Sequence, residues 1–228
     1  MLNFFRTRSF SLTMVVLVLV AIVVLQESIS YSVTFGRLAS FVPKWDHSRV
    51  SASWLTLRAI LLMVTIVLWL FNRKRQVFKA IIVTNGVLTV GLFVNMLALS
   101  DALLGFSSQA VKNLLIDVFF MAVTNILIFS IWYWLIDPPG IEETQRVNEP
   151  WDFLFPQRGS ILPFYESWVP RYTDYLYLAF TTSFAFSPTD TLPLTRRAKM
   201  LMLLQATISI ITLTGIAGSA INILASNG

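Results

Sequence analysis

Between positions 181 and 191 the chain concentrates oxygen-bearing side chains. Thr181, Thr182, Ser183, Ser187, Thr189 and Asp190 supply five hydroxyls and a carboxylate, with Phe184 and Phe186 set among them. Hydroxyl and carboxylate oxygens at this density can replace part of an ion's hydration shell, and phenyl rings beside them can form a hydrophobic constriction. The plainer alternative is that the two phenylalanines fill space and Asp190 caps a turn with Thr191. A second group lies inside apolar stretches: Arg58, Asn95 and Asp117. Ionisable groups at such positions need a partner or water, so Arg58 and Asp117 either pair, with Asn95 completing a network, or are satisfied separately by headgroups and solvent. Elsewhere the chemistry is sparse. There is no cysteine, which removes disulfides and thiolate metal sites together, and the one histidine, His47, sits in the polar run Lys44-Trp45-Asp46-His47-Ser48-Arg49, as a solvated loop residue would. Glu142 and Glu143 are adjacent and point apart, and no HExxH or GxSxG motif is present. No catalytic residue, resident metal or cofactor is expected, and the chain does not read as an enzyme.

The elements that carry these residues follow from composition. Of 228 residues 56% are apolar and 13% charged, and the mean hydropathy is +0.70, which excludes a soluble globular enzyme. Several apolar runs are long enough, at 1.5 Å per residue, to cross about 30 Å of hydrocarbon. The reading is an all-α membrane protein with about five transmembrane helices: Phe10 to Leu25, Trp54 to Phe71, Ala80 to Leu99, Leu114 to Ile136 and Met200 to Leu224. The first follows Arg6 and Arg8 and lacks a convincing small-x-small cleavage site, so it reads as a retained anchor. Trp54, Trp69, Trp132 and Trp134 fall near span ends, where amphipathic rings favour the headgroup level.

Lysine and arginine set the orientation. With Arg73, Lys74, Arg75 and Lys79 in the cytoplasm, twelve basic residues lie inside and four outside. The N-terminus is then cytoplasmic and the C-terminus outside. The net charge of +5 follows loop ends rather than a nucleic-acid footprint.

Asp137-Pro138-Pro139-Gly140 ends the fourth span, because proline cannot continue the helix ladder. An acidic, aromatic loop follows, including Glu149, Trp151, Asp152, Phe153 and Phe155, and reads as solvated at the interface. Tyr172 to Phe186 is apolar but only 15 residues long, too short for a crossing. It is expected to enter the membrane and return as a short re-entrant helix before the last span. Thr195 is placed to cap that last helix. Three divisions result: a four-helix transmembrane region (1–136), an interfacial loop (137–171), and a re-entrant loop with the final helix (172–228).

The stretch YLAFTTSFAFSPTDTLPLTRRAKMLMLLQ resembles the C-terminal third of an uncharacterised family of bacterial integral membrane proteins. Their signature is DYLY-x-x-FT-x-x-x-AFSPTDT-x-PLTR-x-AK, and the specific part of the likeness runs from Asp174 to Lys199. That resemblance implies a bacterial inner (plasma) membrane. More weakly, a short helix ending in Thr181-Thr182, an extended stretch and a long inner helix are similar to the two-helix pore module of potassium channels. This likeness implies an ion-channel-like protein, inorganic ions as partners and a tetramer. The glycines of that filter are absent, with Phe184 and Phe186 in their places, so potassium selectivity by that mechanism is not expected. In the last span Thr214, Gly218 and Asn222, with Gly215 and Ser219, recur at four-residue spacing and form a helix-packing surface suited to a homo-oligomer. Two functions remain open: an oligomeric pore lined by residues 172–190 and the last helix, or a non-conducting membrane scaffold that keeps a channel-like fold.

Overall fold

The computed structural model describes residues 10–29, 47–103, 111–137, 151–158, 165, 168–185, 190–216 and 218. The described chain is mostly helical. Its elements are α1 (Phe10–Ser28), α2 (His47–Leu70), α3 (Lys74–Leu103), α4 (Val111–Ile136), β1 (Phe153–Leu154), α5 (Tyr172–Ala185), β2 (Leu192–Pro193) and α6 (Arg196–Ile210), which continues into a π-helical turn at Ile211–Ile216. Four of the helices, α1 to α4, are long and apolar enough to cross a membrane. They coincide with the first four expected spans. The fifth expected span is described only as far as Ile216 and at Gly218. His47, expected in a loop, begins α2.

α4 is the axis of the bundle, with α1, α3, α5 and α6 packed around it. Met121, Ile128, Phe129, Ile131 and Tyr133 on this helix are completely buried. α1 lays the stripe Leu12, Val15, Val16, Leu19, Ile22, Val23 and Gln26 against the bundle, a spacing that puts them on one helical face. α2 differs, since Leu55, Ile60, Met63, Val64, Val67 and Leu70 all face outward. An apolar helix with its apolar groups outside is at home in hydrocarbon, which exacts no cost for exposing them.

Asn72 joins α2 to α3. It takes the left-handed conformation at φ 54°, its amide donates to the Trp69 carbonyl, and the Arg73 amide donates to the Leu68 carbonyl, each at 3.1 Å. These two bonds close a Schellman motif, and asparagine tolerates the left-handed angle better than a branched residue does. The turn folds α3 back along α2, where the hydroxyls of Thr65 and Thr84 meet at 3.2 Å.

Several contacts gather one end of each element together. Phe78, near the start of α3, packs its ring 6.1 Å from that of Trp134 near the end of α4. Ser11 at the start of α1 accepts from the Tyr172 amide at the start of α5. Arg197 at the start of α6 donates to the Ile136 carbonyl at the end of α4. β1 and β2 pair antiparallel, Phe153 opposite Pro193 and Leu154 opposite Leu192. This end carries Arg73, Lys74, Arg75, Lys79, Arg158, Arg171, Arg196, Arg197 and Lys199, and is the basic end of the bundle.

α5 and α6 both leave from the basic end, and the chain between them comes back to it at β2. Asp174 caps the start of α5 by accepting from the Arg171 amide at 2.6 Å, half of a capping box. Thr195 caps α6 as its spacing predicts, accepting from the Ala198 amide at 3.3 Å.

Candidate functional site

Two polar assemblies meet where α4, α5 and α6 converge. The first is ionic and lies at the basic end. Asp137, immediately after α4, accepts from the amides of Asp152 at 2.8 Å and Phe153 at 3.3 Å through Oδ1. Its Oδ2 accepts from the Tyr175 hydroxyl at 2.6 Å and pairs with Arg158 at 2.9 Å. Asp152 holds Arg197 in a two-pronged contact, Nε to Oδ1 at 2.7 Å and Nη2 to Oδ2 at 2.5 Å, and also accepts from the Thr195 hydroxyl. The planar guanidinium suits such a fork and the planar carboxylate completes it. Arg158 lies over the Trp151 ring, 4.9 Å from its centre, and donates to the Phe153 carbonyl at 2.7 Å.

Two carboxylates thus meet two guanidiniums, and the charges balance. Burial raises the Asp137 carboxyl above its usual range, opposed by the Arg158 charge, the Tyr175 hydroxyl and the two amides. Asp152 corrects the sequence reading. Expected in a solvated acidic loop, it is fully buried, because Arg197 and Thr195 replace the water it gives up. Tyr133, Phe153, Phe155 and Tyr175 wall the cluster with edge-on rings, their centres 5.2 to 6.5 Å apart.

The second assembly is uncharged and runs down the α4–α5–α6 seam. Gln205 of α6, completely buried, donates to the Ala179 carbonyl and to the Ser183 hydroxyl, both at 2.7 Å, and accepts from Tyr133. Farther along, Asn125 donates to Ser209 at 2.8 Å. Ser130 and Tyr172 share a hydroxyl contact at 2.6 Å. Each bond joins two helices, so the seam fixes α5 and α6 against α4 at three heights.

The residues expected along an ion path divide between inside and outside. Thr182 and Ser183 are buried; Thr182 donates to the Leu178 carbonyl of its own helix at 2.8 Å, and Ser183 is held by Gln205. Thr181 likewise donates to the Tyr177 and Leu178 carbonyls. Phe184 is 51% exposed, its ring centre 4.8 Å from that of Phe180, and Asp190 is exposed. Phe186, Ser187 and Thr189 lie outside the described residues.

The expected network of Arg58, Asn95 and Asp117 is buried at all three positions. Arg58 pairs with Glu27 at the end of α1, at 2.8 Å. It also stacks on Trp54 at 5.1 Å, and beside it Gln26 donates to the Leu88 carbonyl at 2.9 Å. Gly91 makes room for this arrangement, since a Cβ there would sit 2.5 Å from Arg58 Nη2 and 3.0 Å from Gln26 Oε1. On the expected packing surface Thr214 is exposed and donates to the Ile210 carbonyl, and Gly218 faces open space. The side-chain face at Gly215, and all of Ser219 and Asn222, lie outside the described residues.

Sequence reasoning missed Glu27, Gln26, Gly91, Tyr133, Asp137, Arg158, Tyr175 and Arg197 as site residues. Asp137 carried a readable signal, a carboxylate at the end of an apolar span, where desolvation demands a partner. Among the described residues no group of three histidines, cysteines or carboxylates could hold a metal ion. Compared with family models, curated proteins and solved structures, the chain matches none of them.

Proposed function

We propose that this chain is an integral membrane protein that acts as a non-conducting scaffold or interaction module, with a channel-like α5–α6 hairpin locked onto its bundle. One observation carries this reading: the hydroxyls of Thr182 and Ser183 on α5 are spent inside the chain, with Thr181 half-buried beside them. Ser183 is held by Gln205 and Thr182 by its own helix, whereas an ion path lined by these hydroxyls needs them turned toward water. The ionic cluster at the basic end supports the same view, because it ties α5, α6 and the β pair to the end of α4 through fully engaged charges.

The collection of nine basic residues at one end supports a cytoplasmic location for that end. It follows that α1 begins inside, α5 enters from the cytoplasmic side and returns to it, and the segment from α6 onward is a fifth span with its far end outside. The bacterial inner membrane comes from the family resemblance. Oligomerisation rests on the small-residue spacing of the last span, and a tetramer only on the channel likeness.

A second reading, an oligomeric pore, is favoured by the outward Phe180–Phe184 pair and by exposed Asp190, which could face a path formed between copies. Ion flux into proteoliposomes separates the two. A scaffold gives no flux for wild type, Phe184→Ala or Asp190→Asn. A pore gives flux that Phe184→Ala increases and Asp190→Asn makes less cation-selective.

A further inference from the structure

We infer that the outer stripe of α6 is a binding site for one anionic phospholipid of the leaflet at the basic end. α6 is two-faced. Ala198, Met202, Gln205, Ile208 and Ser209 point into the bundle, and Arg196, Lys199, Met200, Leu203, Thr207 and Ile210 point out. The outward set recurs at three- and four-residue intervals, so it forms one continuous stripe. The stripe begins with two cations and continues with apolar side chains: Met200 is 63% exposed and Leu203 60%. Between Arg196 and Ile210 it runs about 21 Å, room for a headgroup followed by the roughly 15 Å of hydrocarbon in one leaflet. Leu192 and Leu194 of the returning strand, both exposed, flank the cationic end.

Among the described residues, the carboxylates at this end are engaged elsewhere, with Asp190 the exception. Asp152 is buried and given to Arg197 and Thr195, Asp137 is given to Arg158 and Tyr175, and Asp174 accepts from the Arg171 amide. Asp190 is the exposed acid on the approach to β2, and it precedes both flanking leucines. Arg196 and Lys199 therefore face outward beside an apolar surface, at a helix start whose dipole already favours a negative group. A phosphodiester with an acyl chain below it satisfies all three features. A second copy of this chain docked symmetrically on the stripe covers its apolar part but sets Arg196 and Lys199 against their own counterparts.

The inference rests on the membrane placement proposed above and not on whether the protein conducts, so the flux result leaves it standing. The test is native mass spectrometry of the full chain, released from detergent after incubation with equal amounts of phosphatidylglycerol and phosphatidylcholine. Wild type is expected to retain one phosphatidylglycerol in preference to phosphatidylcholine. Arg196→Gln with Lys199→Gln lowers that retention by roughly 25-fold, about fivefold for each cation, and Leu203→Asn weakens it with the cations intact. Arg73→Gln with Arg75→Gln, at the α2–α3 turn, leaves it unchanged. Equal retention of the two lipids by wild type overturns the site, as does an equal loss in the Arg73 and Arg75 variant, which is diffuse surface charge. Displacement by millimolar inorganic phosphate overturns it in favour of a free-anion site, and a dimer that forms at the expense of bound lipid assigns the stripe to a second copy.

Discussion

Gln205 joins three neighbours with one amide: Tyr133 of α4, and Ser183 and the Ala179 carbonyl of α5. Gln205→Leu keeps the volume and removes all three bonds, leaving buried groups with no water to turn to. Thermal unfolding in detergent should show a loss of about 2 kcal/mol, from three interhelical bonds of about 0.6 kcal/mol each. Gly91 is the complementary case, where the missing side chain matters. Gly91→Leu drives atoms into the space of Arg58 and Gln26, and overpacking of this kind costs roughly 1–3 kcal/mol; Gly86, with nothing near its Cβ position, is the control and should accept alanine. Asp137 adds a pH dependence. Burial raises its carboxyl above the ordinary 3.8, so the folded chain holds that proton more tightly than the unfolded chain does. Its contribution is greatest below the ordinary value and falls as pH rises through the raised one. Melting temperature followed across the acid range should therefore decline less steeply in Asp137→Asn than in wild type. At this scale the sequence showed which polar residues lay in apolar company, Arg58 and Asp117 among them, but not their partners. Glu27 closes an apolar run and looks like an ordinary end-of-helix charge until α1 and α2 are packed together.

Helices α1 to α4 were legible from apolar run length alone, because a stretch that must satisfy its own backbone in hydrocarbon has little choice but helix. The cap at Thr195 was legible as well, since a threonine before a long helix has one obvious bond to make. The β1–β2 pair was not. Two residues per strand leave no periodicity to detect, and what holds them is remote: Asp152 accepts from the Leu194 amide through its carbonyl at 2.8 Å and from Arg197 through its carboxylate. Asp152→Ala should release the pair from the start of α6, leaving Arg197 without its fork. Limited trypsin digestion in detergent is expected to cut after Arg158 several-fold faster in this variant than in wild type, where the Arg158 side chain is engaged by Asp137 and the Phe153 carbonyl. Equal rates would mean that the aromatic wall alone holds the loop in place.

The described chain is a bundle around α4, with α5 and α6 fixed to it by ionic contacts at the basic end and by amide and hydroxyl contacts in the interior. This arrangement was only half visible beforehand. The 15-residue apolar run announced a helix too short to cross, and its threonines and serine suggested a water-facing lining. The decisive fact, that Gln205 sits opposite Ser183, depends on the relative rotation of α5 and α6, which no spacing within either helix encodes. Because the chain contains no cysteine, single substitutions report on access without a modified background. The hydroxyls of Thr182 and Ser183 on α5 meet protein and not water. A membrane-impermeant thiol reagent applied from either side of reconstituted vesicles tests it at Ser183→Cys, with Leu194→Cys at the exposed return strand as the positive control. Rapid labelling at 194 and none at 183 from either side is expected; labelling at 183 as fast as at 194, in a variant that still folds, would place Ser183 in water.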